Sequence, residues 1–92
     1  MNMIGLEWKT INERELEIAK RLKEARKAQK ISQIDLANKS GVSYGSIKRF
    51  EQTGEISLSS LIALAVCLGY ASDFDYLFKE IYYVNVLDKV KK

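Results

Sequence analysis

The sequence predicts an all-α domain of five short helices. Two observations carry that reading. Apolar residues recur at spacings of three and four, the period of a helix with one buried face, in five successive segments. Each segment follows a residue whose side chain can cap a helix, and a glycine stands just after three of them. No internal repeat or low-complexity stretch divides the 92 residues, which suffice for one domain.

The first helix is expected over 13–29. Asn12 with Glu15, or Thr10 with Glu13, can form the reciprocal capping box that starts it. Its stripe is Leu16, Ala19, Leu22 and Ala25, widened by Ile18. Ser32 caps the second helix, 33–39, with Asp35 three residues on and Leu36 and Ala37 facing inward. Gly41 follows, where a chain leaving a helix often takes a positive φ. Ser43 caps the third helix, 44–52, which turns Ile47 and Phe50 inward and ends at Gly54. Ser57 caps the fourth, 58–68, with the stripe Leu58, Leu61, Ile62, Ala65 and Leu68, closed by Gly69. Ser72 is expected to cap a fifth helix, 73–79, that packs Phe74, Leu77 and Phe78.

The domain is thus expected over 12–79, between an N-terminal arm, 1–11, and a C-terminal extension, 80–92. Residues 81–87, IYYVNVL, are rich in β-formers and suggest a short strand pairing with the arm, where 1–8 could supply another strand, or with a second chain; the alternative is a helical or frayed extension. Tyr82 and Tyr83 suit sheet packing better than base stacking, and Trp8 suits an anchor for the arm.

Composition excludes much chemistry. Apolar residues make up 47% and charged residues 29%, as in folded rather than disordered chains. No apolar run is long enough for a membrane helix, no signal peptide opens the chain, and a cytoplasmic, nucleoid-associated setting is expected. Histidine is absent and Cys67 is the single cysteine, so the usual neutral-pH base, an internal disulfide and a Cys/His zinc site are all missing. No glycine-rich phosphate loop occurs. No enzyme activity, metal or cofactor is expected, and Cys67 reads as a small core residue.

Charge is uneven. Residues 20–30 hold six bases and one acid, and residues 55–78 hold three acids and no base. A basic face for an anionic partner and a separate acidic face follow from that asymmetry. The segment from Gln33 to Gln52 has the pattern of two helices crossing over a tight turn. Ala37 is the small residue where the backbones approach, Gly41 tolerates the turn, Val42 plugs it onto the core, and Ile47 with Phe50 anchors the second helix. The outward positions Tyr44, Gly45, Ser46, Lys48, Arg49 and Gln52 are small, polar, basic or aromatic, as suits a wet anionic groove.

Residues 32–51, SQIDLANKSGVSYGSIKRFE, resemble the helix-turn-helix of the phage-repressor Cro/CI-type (Xre) family, and the resemblance extends from about Leu16 to Leu68. It implies a five-helix lambda-repressor-like domain that binds double-stranded DNA, with the third helix in the major groove. By the same resemblance Tyr44, Gly45, Lys48 and Arg49 take base-reading positions. Arg49 is the candidate for a forked contact with guanine, Tyr44 could pack on a thymine methyl, and Gly45 contributes no side chain. Gln33, Ser43, Ser46, Lys23, Lys27 and Thr53 are the expected phosphate contacts, with Gln33 also bracing the recognition helix. Arg26 and Glu51 match a family pair that forms a buried salt bridge between the first and third helices.

One departure stands out. The family commonly has Glu-x-Gly after the recognition helix, where this chain has Glu51-Gln52-Thr53-Gly54, so the loop that meets the sugar-phosphate backbone carries an extra residue. The functional expectation is a transcriptional regulator, a repressor acting by occlusion as a homodimer on two half-sites. The alternative is an antitoxin-like protein, similar to HipB-type regulators, that binds a toxin through the acidic face around Asp73 and Asp75 and autoregulates its operon.

Overall fold

A computed structural model describes residues 9–81. Those residues form five helices in the order α1 (Ile11–Ala28), α2 (Gln33–Ser40), α3 (Tyr44–Thr53), α4 (Leu58–Cys67) and α5 (Ala71–Tyr76). There is no strand among the described residues. The strand expected over 81–87, with Tyr82, Tyr83 and Trp8, lies outside them apart from Ile81.

The caps explain most boundaries. Thr10, not Asn12, opens α1: its hydroxyl accepts from the Glu13 N–H while the Glu13 carboxylate accepts from the Thr10 N–H. Asn12 is used across the fold instead, donating to the Thr53 carbonyl at 3.1 Å. Ser32, Ser43 and Ser57 each accept from the N–H three residues on, as expected. Gly41 and Gly54 end α2 and α3 in the left-handed region, at φ 79° and 82°. The two differ in what surrounds them. A Cβ at Gly41 would meet open space, so only its φ requires glycine. A Cβ at Gly54 would stand 2.8 Å from the Glu15 Cβ and 2.9 Å from the Glu15 carbonyl carbon, so glycine also lets this corner press on α1. The extra residue of the Glu51–Gly54 segment is absorbed as a last helical position, Thr53, before that corner.

The core sits where α1, α2, α3 and α4 meet. Ala19, Leu36, Val42, Ile47, Phe50, Leu64 and Leu68 are buried together, and Leu22, Ala37, Leu61 and Cys67 pack partly buried against them. Three expectations need correcting. In α4 the buried side chains are Leu64 and Ala65, joined by Leu68 just after its end. Leu58 is 65% exposed, because α4 is apolar nearly all round and its first turn projects past the core. Leu16 and Ile18 on α1 are not buried either, at 38% and 42% exposed.

The fifth helix is shifted. Ser72 does not cap it. The preceding residue is Tyr70, with no side-chain cap, and the helix covers Ala71–Tyr76 rather than 73–79. The cause is the end of α4. Gly69, at φ 94°, reverses the chain so that the Tyr70 N–H donates to the Ala65 carbonyl at 2.7 Å, and the next helix begins at once. Leu77 then turns extended and Phe78 takes φ 62°, which stops the helix. Leu77 and Phe78 do not pack inward: Phe78 is 89% exposed. Together with Ile18, Leu22, Leu61 and Phe74 they line an open apolar groove of about 710 Å³ between α1 and the α4–α5 pair.

Candidate nucleic-acid interface

α3 is amphipathic in the sense its sequence implies. Ile47 and Phe50 are buried, while Tyr44, Gly45, Ser46, Lys48, Arg49 and Gln52 are exposed. Every expected base-reading residue therefore lies on one uncovered face of one helix. Lys48 reaches back over the Tyr44 ring, 5.3 Å from its centre, so the two side chains form one cation–π unit. A Cβ at Gly45 would meet nothing within 4 Å, and its φ is ordinary, so the fold itself places no demand on glycine there. Ser43 and Ser46 bond to each other at 2.8 Å beside the first turn.

A buried polar network holds this helix. The Arg26 guanidinium donates through Nε to Glu51 Oε2 at 2.8 Å and through Nη2 to Oε1 at 3.1 Å. Its Nη1 donates to the Ile31 carbonyl at 2.8 Å. The Gln33 amide donates to Glu51 Oε1 at 2.8 Å. One carboxylate on α3 thus ties together α1 and the first residue of α2, while the same guanidinium holds the α1–α2 loop. Both charged side chains are more than nine-tenths buried, so the forked geometry and the extra donors are what make the charges tolerable there. The Arg26–Glu51 pair joins α1 to α3, and Gln33 bonds the same carboxylate from α2.

The remaining expected phosphate contacts are distributed around this frame. Lys23 precedes Arg26 by almost one turn of α1 and Lys27 follows it directly, and both are exposed. Thr53 is internally engaged: its hydroxyl donates to the Arg49 carbonyl at 2.8 Å and accepts from the Glu55 N–H at 3.1 Å. On α1, the Lys9 ammonium bonded to Glu17 at 2.8 Å holds that carboxyl below its usual range, with the charges of Arg21 and Arg14 adding to the effect.

Two residues of the surface escaped the sequence reading. Asn12 fixes the α3–α4 corner through the Thr53 carbonyl. Glu55 forms an ion pair with Arg49 across that corner. Neither pairing follows helical spacing, and the only local signal was an acid shortly after a basic recognition helix.

A helix-turn-helix family model, HTH_3, matches residues 22–74, more than half of the chain. The chain belongs to the Cro/CI-type helix-turn-helix family. No curated protein matches it. In this Xre-type domain the matched residues include all of α2 and α3 and the Arg26–Glu51–Gln33 network. The family is a DNA-binding, transcription-regulating one, and the chain carries that domain. Among the described residues no cluster of His, Cys, Asp or Glu could hold a metal ion, and no helix is long and apolar enough to cross a membrane.

Proposed function

We propose that the chain is a sequence-specific repressor that binds duplex DNA as a dimer. The observation that carries this reading is the uncovered face of α3, with Tyr44, Gly45, Lys48 and Arg49 exposed on a helix locked from behind by Glu51. A rigid helix with an outward row of basic and small residues fits the major groove, where Arg49 can fork to guanine O6 and N7. Lys23, Lys27, Gln33, Ser43 and Ser46 hold phosphates around it. Thr53 contributes there through the backbone it pins rather than through its hydroxyl.

One such helix reads only a few base pairs, so useful specificity calls for two copies on half-sites about 34 Å apart. The apolar groove beside α5 supports a second copy as its occupant. Its exposed Leu77 and Phe78 form the kind of patch that marks an interface. Its rim carries Arg21 on α1 and Asp73 on α5, opposite charges that a two-fold axis can pair. Occlusion of a promoter asks nothing of the protein beyond occupying its site. A toxin-like protein over the acidic residues Asp73 and Asp75 is the competing occupant, and the mass of the purified complex separates the two.

The test is titration of mixed-sequence duplexes at several salt concentrations. Lys23→Ala should weaken binding to all sequences equally and reduce the salt slope by about one. No complex at low ionic strength would remove DNA binding from the account.

A further inference from the structure

We infer that Glu55 is a specificity-determining residue that acts by positioning Arg49. This rests on Arg49 as a base reader. Arg49 Nη2 donates to Glu55 Oε1, and both side chains are more than half exposed, so the pair sits on the surface α3 would present to DNA. The carboxylate is not on a loose loop. The Glu55 N–H is held by the Thr53 hydroxyl, which itself donates to the Arg49 carbonyl. The Thr53 carbonyl is held by Asn12 from α1, and the Gly54 N–H donates to the Phe50 carbonyl at 2.8 Å. Gly54 is buried hard against Glu15. A pinned corner therefore delivers a fixed carboxylate to the end of a long side chain that would otherwise sample many rotamers.

Two effects follow. The guanidinium is held by one edge, which lowers the ordering cost of presenting its remaining donors to a base. Its charge is also partly cancelled towards phosphates: of the two cations on the outward face of α3, Arg49 is in an ion pair with Glu55, whereas Lys48 lies over the Tyr44 ring. A phosphate must compete with Glu55 for Arg49, and it is repelled by the same carboxylate. An exposed pair of this kind shifts an equilibrium about two- to fivefold. A guanine fork discriminates more strongly than that, so base contacts outlast the competition where phosphate contacts do not.

The experiment compares affinities of wild type, E55Q, R49A and the double variant for a selected duplex and for random-sequence duplex. The selected duplex is one enriched by the wild-type protein from a random pool. Glu55→Gln should tighten random-sequence binding about two- to fivefold and steepen its salt slope by about one, lowering the ratio of selected to random affinity. In the Arg49→Ala background the same substitution should leave that ratio unchanged. An unchanged ratio in the single variant, or an equal change with and without Arg49, would overturn the assignment, the latter making Glu55 a plain charge effect. Thermal melting of each variant checks folding. If Arg49→Ala alone leaves base preference intact, the base-reading role itself fails, and that result is visible apart from Glu55.

Discussion

The α1–α3 junction and the α1–α5 groove lie on the same helix and are finished in opposite ways. At the junction the polar groups interlock: three donors of Arg26, both oxygens of Glu51 and the Gln33 amide bond one another or the Ile31 carbonyl in a buried site. At the groove, α5 has no side-chain cap, none of its residues is fully buried, and Phe78 stands exposed at φ 62°. A left-handed φ on a bulky residue costs on the order of 1–3 kcal/mol, which the contacts of the described chain do little to offset. The difference separates a face already fixed from one still open. α3 is held from within the chain by Arg26, Gln33 and Glu51. The apolar groove stays open among the described residues, as the second copy proposed for it would require.

Substitutions can break or sharpen this contrast. The largest expected effect is at the junction. Glu51→Ala should destabilise the fold by about 3–5 kcal/mol in urea denaturation, because it strands a buried guanidinium and leaves the Gln33 amide without its acceptor. A loss below about 1 kcal/mol would show that the network is ornamental. At the groove the order reverses. Phe78→Ser should change the unfolding free energy of the dilute protein by no more than about 0.5 kcal/mol, the usual range for a surface position. Self-association measured by sedimentation should weaken by about 1.5–3 kcal/mol, the transfer energy of one aromatic side chain. Unaltered association would move the dimer contact elsewhere.

The smallest effect separates folding from function on α3. Gly45→Ala should stabilise the protein by about 0.5–1 kcal/mol, since alanine is the better helix former and its methyl group meets nothing. If Gly45 faces the groove as proposed, duplex affinity should fall, because the added methyl stands on the exposed face of α3. A variant that gains stability and keeps full affinity would remove Gly45 from the interface.

Much of this was legible in the sequence because it is local. A serine before a helix announces a cap through its own hydroxyl, and Ser32, Ser43 and Ser57 all serve so. Gly41 and Gly54 announce helix ends through the φ they allow. The inward pair Ile47 and Phe50 was legible because the rest of α3 is polar. In α4 the same logic failed: LSSLIALAVC offers apolar residues on most sides, so period alone could not choose Leu64 over Leu58. Ser72 misled for a different reason. The Tyr70 N–H is captured by the end of α4, and the helix starts before the serine can act. The Arg49–Glu55 pair spans a glycine corner whose shape depends on contact with Glu15, thirty-nine positions before Gly54, and no short-range pattern encodes that.

The central claim is that the outward face of α3 reads base edges in duplex DNA. Selection of bound duplexes from a random pool by wild type and by Arg49→Ala tests it most directly. The account predicts an enriched two-fold symmetric site with half-sites about one helical turn apart. The variant should lose preference for one guanine in each half while weakening by about 1–3 kcal/mol. Enrichment of nothing, or of the same sequence by both proteins with equal strength, would contradict it.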